Sequence, residues 1–95
     1  DLDHVAPVRA SVRDAVEELL DELPRAGRIS FRELCAGLAE RLEVIVRFLA
    51  VLELFKQGLV ALDQTETFGE IRITWLGDPD GARDRLVLEA EGWDR

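Results

Sequence analysis

From Ser11 onward the apolar positions recur at intervals of three and four. Val12, Ala15, Val16, Leu19, Leu20 and Leu23 fall on one face of a helix, with acidic and basic residues between them. Ser11 suits the N-cap, Asp14 complements the exposed amides of the first turn, and Pro24 and Gly27 predict the end. Arg28-Ile29-Ser30 reads as a short extended link, placed to add a strand to any sheet that follows. Ser30-Phe31-Arg32-Glu33 then has the serine-to-glutamate offset of a capping box. A short second helix follows, with Phe31, Leu34, Cys35 and Leu38 inward and Gly37 weakening its end. After a turn at 39–41 a third helix runs to about Gln57 and stops at Gly58.

The period then changes from helical to alternating. Leu59 to Gln64 and Glu70 to Leu76 are β-type runs. The intervening Thr65-Glu66-Thr67-Phe68-Gly69 forms a hairpin loop, with the glycine placed to permit a left-handed backbone. A hairpin alone is marginal, so it must pack on the helices. Three helices followed by a two-stranded wing is the order of an α+β winged-helix domain over residues 11–76. Residues 1–10, with His4 and Pro7, read as an N-terminal arm or linker. Residues 77–95 read as an acidic tail, disordered in part, in which Leu86-Val87-Leu88 is able to dock as a short strand or helical turn.

Ninety-five residues suffice for one domain with one modest core. Chemistry is scarce in it. His4 is the only histidine and Cys35 the only cysteine, so neither a four-ligand zinc site nor an internal disulfide is available, and Cys35 reads as core filler. Both serines are accounted for as caps, the glycines form no phosphate loop, and Glu17-Glu18 lies on a solvated helix face. The reading is a non-enzymatic chain without cofactor or metal. No apolar run reaches the ~20 residues of a membrane span, and no signal pattern opens the chain, which places it in the cytoplasm.

The formal charge of −8 bears on partners, because nucleic-acid binders gain affinity by neutralising phosphates. The third helix is the element that a winged helix would place in the major groove. At 100° per residue, Val44, Ile45, Phe48, Val51, Leu52 and Phe55 share one face, read here as the core stripe. Leu42, Val46, Leu49, Ala50 and Leu54 fall opposite or at its margins, among Glu43, Arg47, Glu53 and Gln57. That second face is apolar and charge-balanced, and the hairpin carries Asp63, Glu66 and Glu70, so direct nucleic-acid binding is not expected. A second apolar stripe implies either a protein partner or cover by the hairpin, the arm or the tail. A DNA-binding module and a self-associating domain remain the alternatives.

Phe48-Leu49-Ala50-Val51-Leu52-Glu53-Leu54-Phe55-Lys56-Gln57-Gly58-Leu59-Val60, then Asp63-Gln64, then Phe68-Gly69-Glu70-Ile71, resembles the C-terminal signature of bacterial kleisins. The family is segregation and condensation protein A, with the pattern F-L-A-L-L-E-L-x-K-x-G-x-V…Q…F-G-D/E-I. Ile29 to Leu34 matches its usual lead into the second helix, Val51 stands where leucine is common, and the tail beyond Gly77 matches nothing. The resemblance implies a winged helix that caps the ATPase head of an SMC protein, with nucleotide hydrolysis left to that partner. The complex condenses and partitions the chromosome, which implies a nucleoid association. The resemblance also implies ScpB in the same complex, recruited through a kleisin segment absent here, and a span that holds one head without bridging two. The expected head-binding residues are Val46, Leu49, Ala50, Glu53, Leu54 and Gln57.

Overall fold

The computed structural model describes residues 11–78 and 81–95. The expected arm at 1–10, with His4 and Pro7, lies outside them. The chain forms α1 (Val12–Ala26), β1 (Arg28–Ser30), α2 (Phe31–Leu34), α3 (Arg41–Lys56), β2 (Val60–Gln64), β3 (Ile71–Trp75) and α4 (Arg83–Trp93). The architecture is α+β, with the helices packed against a three-stranded antiparallel sheet of order β1-β3-β2.

Helix α1 is the central element, in contact with α3, α4, β1 and β3. Its six predicted inward residues, Val12, Ala15, Val16, Leu19, Leu20 and Leu23, are all buried. Ser11 caps it by accepting the Asp14 amide at 3.1 Å. Pro24 does not end it, as the sequence reading expected. The helix continues through Pro24 to Ala26 and is closed by Gly27, whose φ is 73° and whose amide donates to the Leu23 carbonyl at 2.8 Å. One proline in a last turn removes a single helical hydrogen bond, and the buried Leu23 holds that turn in place.

The link at Ile29 is indeed a strand, paired with β3 in the register Arg28↔Thr74, Ile29↔Ile73 and Ser30↔Arg72. Ser30 ends it and starts α2, accepting the Glu33 amide at 3.0 Å and donating its hydroxyl to the Glu33 carboxylate at 3.0 Å. α2 is a single turn. Leu34 is buried, whereas Cys35 and Leu38 are only half-buried, and Gly37 adopts φ 91°. Burial pushes the Cys35 thiol up, outweighing the attraction of Arg47, so the thiol stays protonated at neutral pH.

β2 and β3 pair from Val60↔Trp75 to Gln64↔Ile71, with Leu62 opposite the fully buried Ile73. The loop between them departs from expectation in one detail. The left-handed residue is Phe68, at φ 63°, and not Gly69. Gly69 serves by its size, since a Cβ there would lie 2.9 Å from the Glu66 carbonyl oxygen.

The larger correction is at the C-terminus. The segment read as an acidic tail forms α4, whose Leu86 and Ala90 are buried in the common core together with Ala82. The end of α4 clasps the start of α1: the Asp94 carboxylate accepts the Val12 amide at 2.7 Å, the Arg13 amide at 3.1 Å and the Ser11 hydroxyl at 3.0 Å. Desolvation, the largest single cause, pushes the Asp94 carboxyl up. These three donors and the Arg13 charge outweigh it and hold the carboxyl below its ordinary value of 3.8. A depressed carboxylate stabilises the fold above its unfolded pKa and loses that contribution as pH falls through the folded one. Thermal melts of wild type and Asp94→Asn should therefore differ at neutral pH and begin to converge only as pH falls below 3.8.

A candidate protein-binding face on the third helix

α3 is apolar nearly all round, so its two faces are told apart only by what packs on them. The structure inverts the sequence assignment. Val46, Ala50 and Leu54 are 7%, 0% and 0% exposed, and they point into the core that α3 shares with α1, α4 and β2. Ile45, Phe48, Leu52 and Phe55, read from the sequence as core, form an outward stripe between 37% and 50% exposed. Val51 alone of that predicted stripe is fully buried, and Val44 lies half-buried at its edge.

Polar pairing explains the inversion. Glu53, expected to face a partner, is 5% exposed and accepts the Trp93 indole N–H of α4 at 2.7 Å. Its second oxygen, Oε2, is buried with no hydrogen-bond partner among the described residues. Arg47 lies along α1, donating to the Leu34 carbonyl at 2.9 Å and to the Glu18 carboxylate at 2.7 Å, with Glu22 at 3.5 Å. Glu18 thus does more than sit in solvent. Gln57 is half-buried and bonded to α4 on both sides of its amide: Nε2 donates to Glu89 at 2.7 Å, and Oε1 accepts from Arg85 at 3.1 Å. Arg47, Gln57 and one oxygen of Glu53 are thus matched by groups from remote parts of the chain, which offsets much of the cost of turning this face inward, while Glu53 Oε2 stays unmatched among the described residues.

Of the six residues expected to bind a partner, Val46, Ala50, Glu53 and Leu54 are therefore interior, and Gln57 is committed to α4. Leu49 retains an outward edge. It lines an open groove with Leu42, Ile45 and Trp93, where the ends of α1, α3 and α4 meet. The surface that sequence reasoning missed is the stripe Ile45, Phe48, Leu52 and Phe55, at spacings of three, four and three, with Leu42 flanking it. The signal was visible as periodicity and was assigned to the core.

The stripe extends beyond α3. The Phe48 ring meets Phe31 of α2 edge-on, with centroids 5.6 Å apart. Phe31 in turn lines a second groove with Arg32, Phe68, Gly69, Glu70 and Ile71, which reaches the hairpin loop. At its ends on α3 the stripe is bordered by Arg41 and Lys56, both exposed. Large apolar side chains arranged contiguously with a charged border are the pattern of a protein-docking surface. Among the described residues no cluster of three His, Cys, Asp or Glu is placed to hold a metal ion. No helix there is long and apolar enough to cross a membrane.

Comparison with known proteins agrees on a family. The profile of segregation and condensation protein ScpA matches residues 4–76. The chain is 37% identical over 67 residues to segregation and condensation protein A of Caldanaerobacter subterraneus subsp. tengcongensis, covering 70% of this chain and 27% of that protein. It is 39% identical over 72 residues to the protein of the same name from Bacillus velezensis, covering 75% and 28%. The Clostridium perfringens protein is 37% identical over 60 residues, covering 63% and 24%. The chain thus spans about a quarter of the length of the curated relatives it matches. It belongs to the segregation and condensation protein ScpA family.

Proposed function

We propose that this domain is a winged helix that caps the ATPase head of an SMC protein and so serves chromosome condensation and partition as a non-enzymatic component. The observation that carries this reading is the outward stripe of Ile45, Phe48, Leu52 and Phe55. Family membership supports an SMC protein as the partner, and the element order, with a β2–β3 hairpin after three helices, supports the winged-helix assignment. Apolar anchors on the stripe supply affinity, and Arg41 and Lys56 at its ends set orientation against acidic groups of the partner. Nucleotide hydrolysis belongs to the SMC head, and ScpB is held by other parts of a family chain. The site of action is the cytoplasm, on the nucleoid through the SMC complex.

Calorimetric titration against the isolated SMC head of the same organism tests this. One-to-one binding is expected for the wild type, and Leu52→Arg should weaken it at least about 100-fold while keeping the native circular dichroism. Tight binding by a folded Leu52→Arg variant would remove the stripe from the interface. Salt-sensitive binding of duplex DNA without head binding would replace the proposal with a nucleic-acid role.

A further inference from the structure

Phe68 stands apart from every other apolar side chain among the described residues. It is 99% exposed at the tip of the β2–β3 loop, and its backbone has φ 63°, the left-handed region that a bulky L-residue adopts only under strain. The loop around it is nevertheless locked. The Gly69 amide donates to the Glu66 carbonyl at 2.8 Å, and the Gln64 side-chain amide donates to the Gly69 carbonyl at 2.7 Å. The missing Cβ of Gly69 permits this closure, since one would stand 2.9 Å from that same carbonyl oxygen. A large aromatic ring is thus held out into water, on a strained residue, by a hydrogen-bonded turn. Neither feature helps the isolated domain fold.

The ring is also placed in line with the α3 stripe. Phe68 and Ile71 line a groove together with Phe31, and Phe31 packs edge-on against Phe48. Arg32 and Glu70, 3.9 Å apart, form its polar rim. Phe31 thus links the α3 stripe, through Phe48, to the groove that Phe68 also lines.

We infer that Phe68 is a preorganised anchor for the same partner protein that covers α3, inserting its ring into an apolar pocket of the SMC head while a partner side chain enters the groove between Phe68 and Phe31. This rests on the function proposed above. A rigid aromatic loses little conformational freedom on binding, which is why such residues dominate interface energetics. The two hydrogen bonds of the turn hold the Phe68 backbone in its left-handed conformation before contact, against its strain.

The test uses Phe68→Ala, Phe68→Gly and Phe68→Tyr beside Leu52→Arg, each titrated against the SMC head and each melted alone. Phe68→Ala and Phe68→Gly should bind about tenfold more weakly, and Phe68→Tyr within about twofold of wild type. Phe68→Gly, which relieves the left-handed strain, should melt no lower than wild type. A residue with a merely structural role would lower melting and binding together. Wild-type affinity in Phe68→Ala and Phe68→Gly, with binding lost in Leu52→Arg, would overturn the anchor and leave the α3 face standing. No binding by the wild type would overturn both. A concentration-dependent dimer abolished by Phe68→Ala would assign the ring to a second copy of this chain and overturn the choice of partner.

Discussion

Leu54→Arg should leave the domain unfolded at room temperature, whereas Leu52→Arg, two positions away on the same helix, should melt within about 4 °C of wild type. Leu54 is 0% exposed, beneath α3, and Leu52 is 37% exposed on its outer stripe. Truncating a fully buried leucine costs about 2–5 kcal/mol. An unpaired buried guanidinium adds a penalty of several kcal/mol. A 95-residue domain is stable by only about 5–14 kcal/mol, so the sum removes most or all of it. At position 52 an arginine keeps its charge in water, and its stem replaces the contact of the leucine. Circular dichroism melts of the two variants decide the matter. The reverse outcome, an unfolded Leu52→Arg beside a stable Leu54→Arg, is what the sequence-based face assignment predicts, and it would show that α3 is turned by half a rotation from the orientation described above.

Truncation after Asp78 should have an effect of similar size, lowering stability by at least about 4 kcal/mol in urea denaturation. Three contributions act together. Leu86 and Ala90, both 0% exposed, leave the core with Ala82, and leucine burial alone is worth about 1.5–3 kcal/mol. The amides of Val12 and Arg13 lose the Asp94 carboxylate, a cap contribution of about 0.5–2 kcal/mol. Glu53 loses the Trp93 donor, its only hydrogen-bond partner among the described side chains. An acidic tail with no place in the core would leave the urea midpoint unchanged, and that result would detach α4 from the fold. Leu86→Ala is the finer version of the same test, with an expected loss of about 2–5 kcal/mol.

The two effects locate what was legible in the residues and what was not. α1 was readable because its apolar residues occupy one stripe and its charges the other, so only one orientation buries the stripe. Its cap at Ser11, the Ser30–Glu33 start of α2 and the stop of α3 before Gly58, at φ 80°, are local chemistry, decided within about four residues. The hairpin followed from alternation and a short polar loop, and the third strand from an extended link before a capping serine. α4 carried a fainter signal. Ala82, Leu86, Ala90 and Trp93 recur at intervals of four, four and three, but two of them are alanines and the charges between them read as a tail.

The sequence by itself, though it did not give α4, thus determined α1 to α3, the three strands, the caps at Ser11 and Ser30 and the family, because these depend on neighbours along the chain or on the order of residues alone. It also determined that α3 carries more apolar surface than one small core can cover. Which side of α3 is covered was decided by tertiary structure. Both sides are apolar, so burial of either releases comparable surface from water, and the choice falls to the polar groups between them. Glu53 finds Trp93 across 40 positions and Arg47 finds Glu18 across 29. Only the folded chain brings those partners together, and only there do they make the charged face of α3 the buried one and the uncharged stripe of Ile45, Phe48, Leu52 and Phe55 the surface left for a partner.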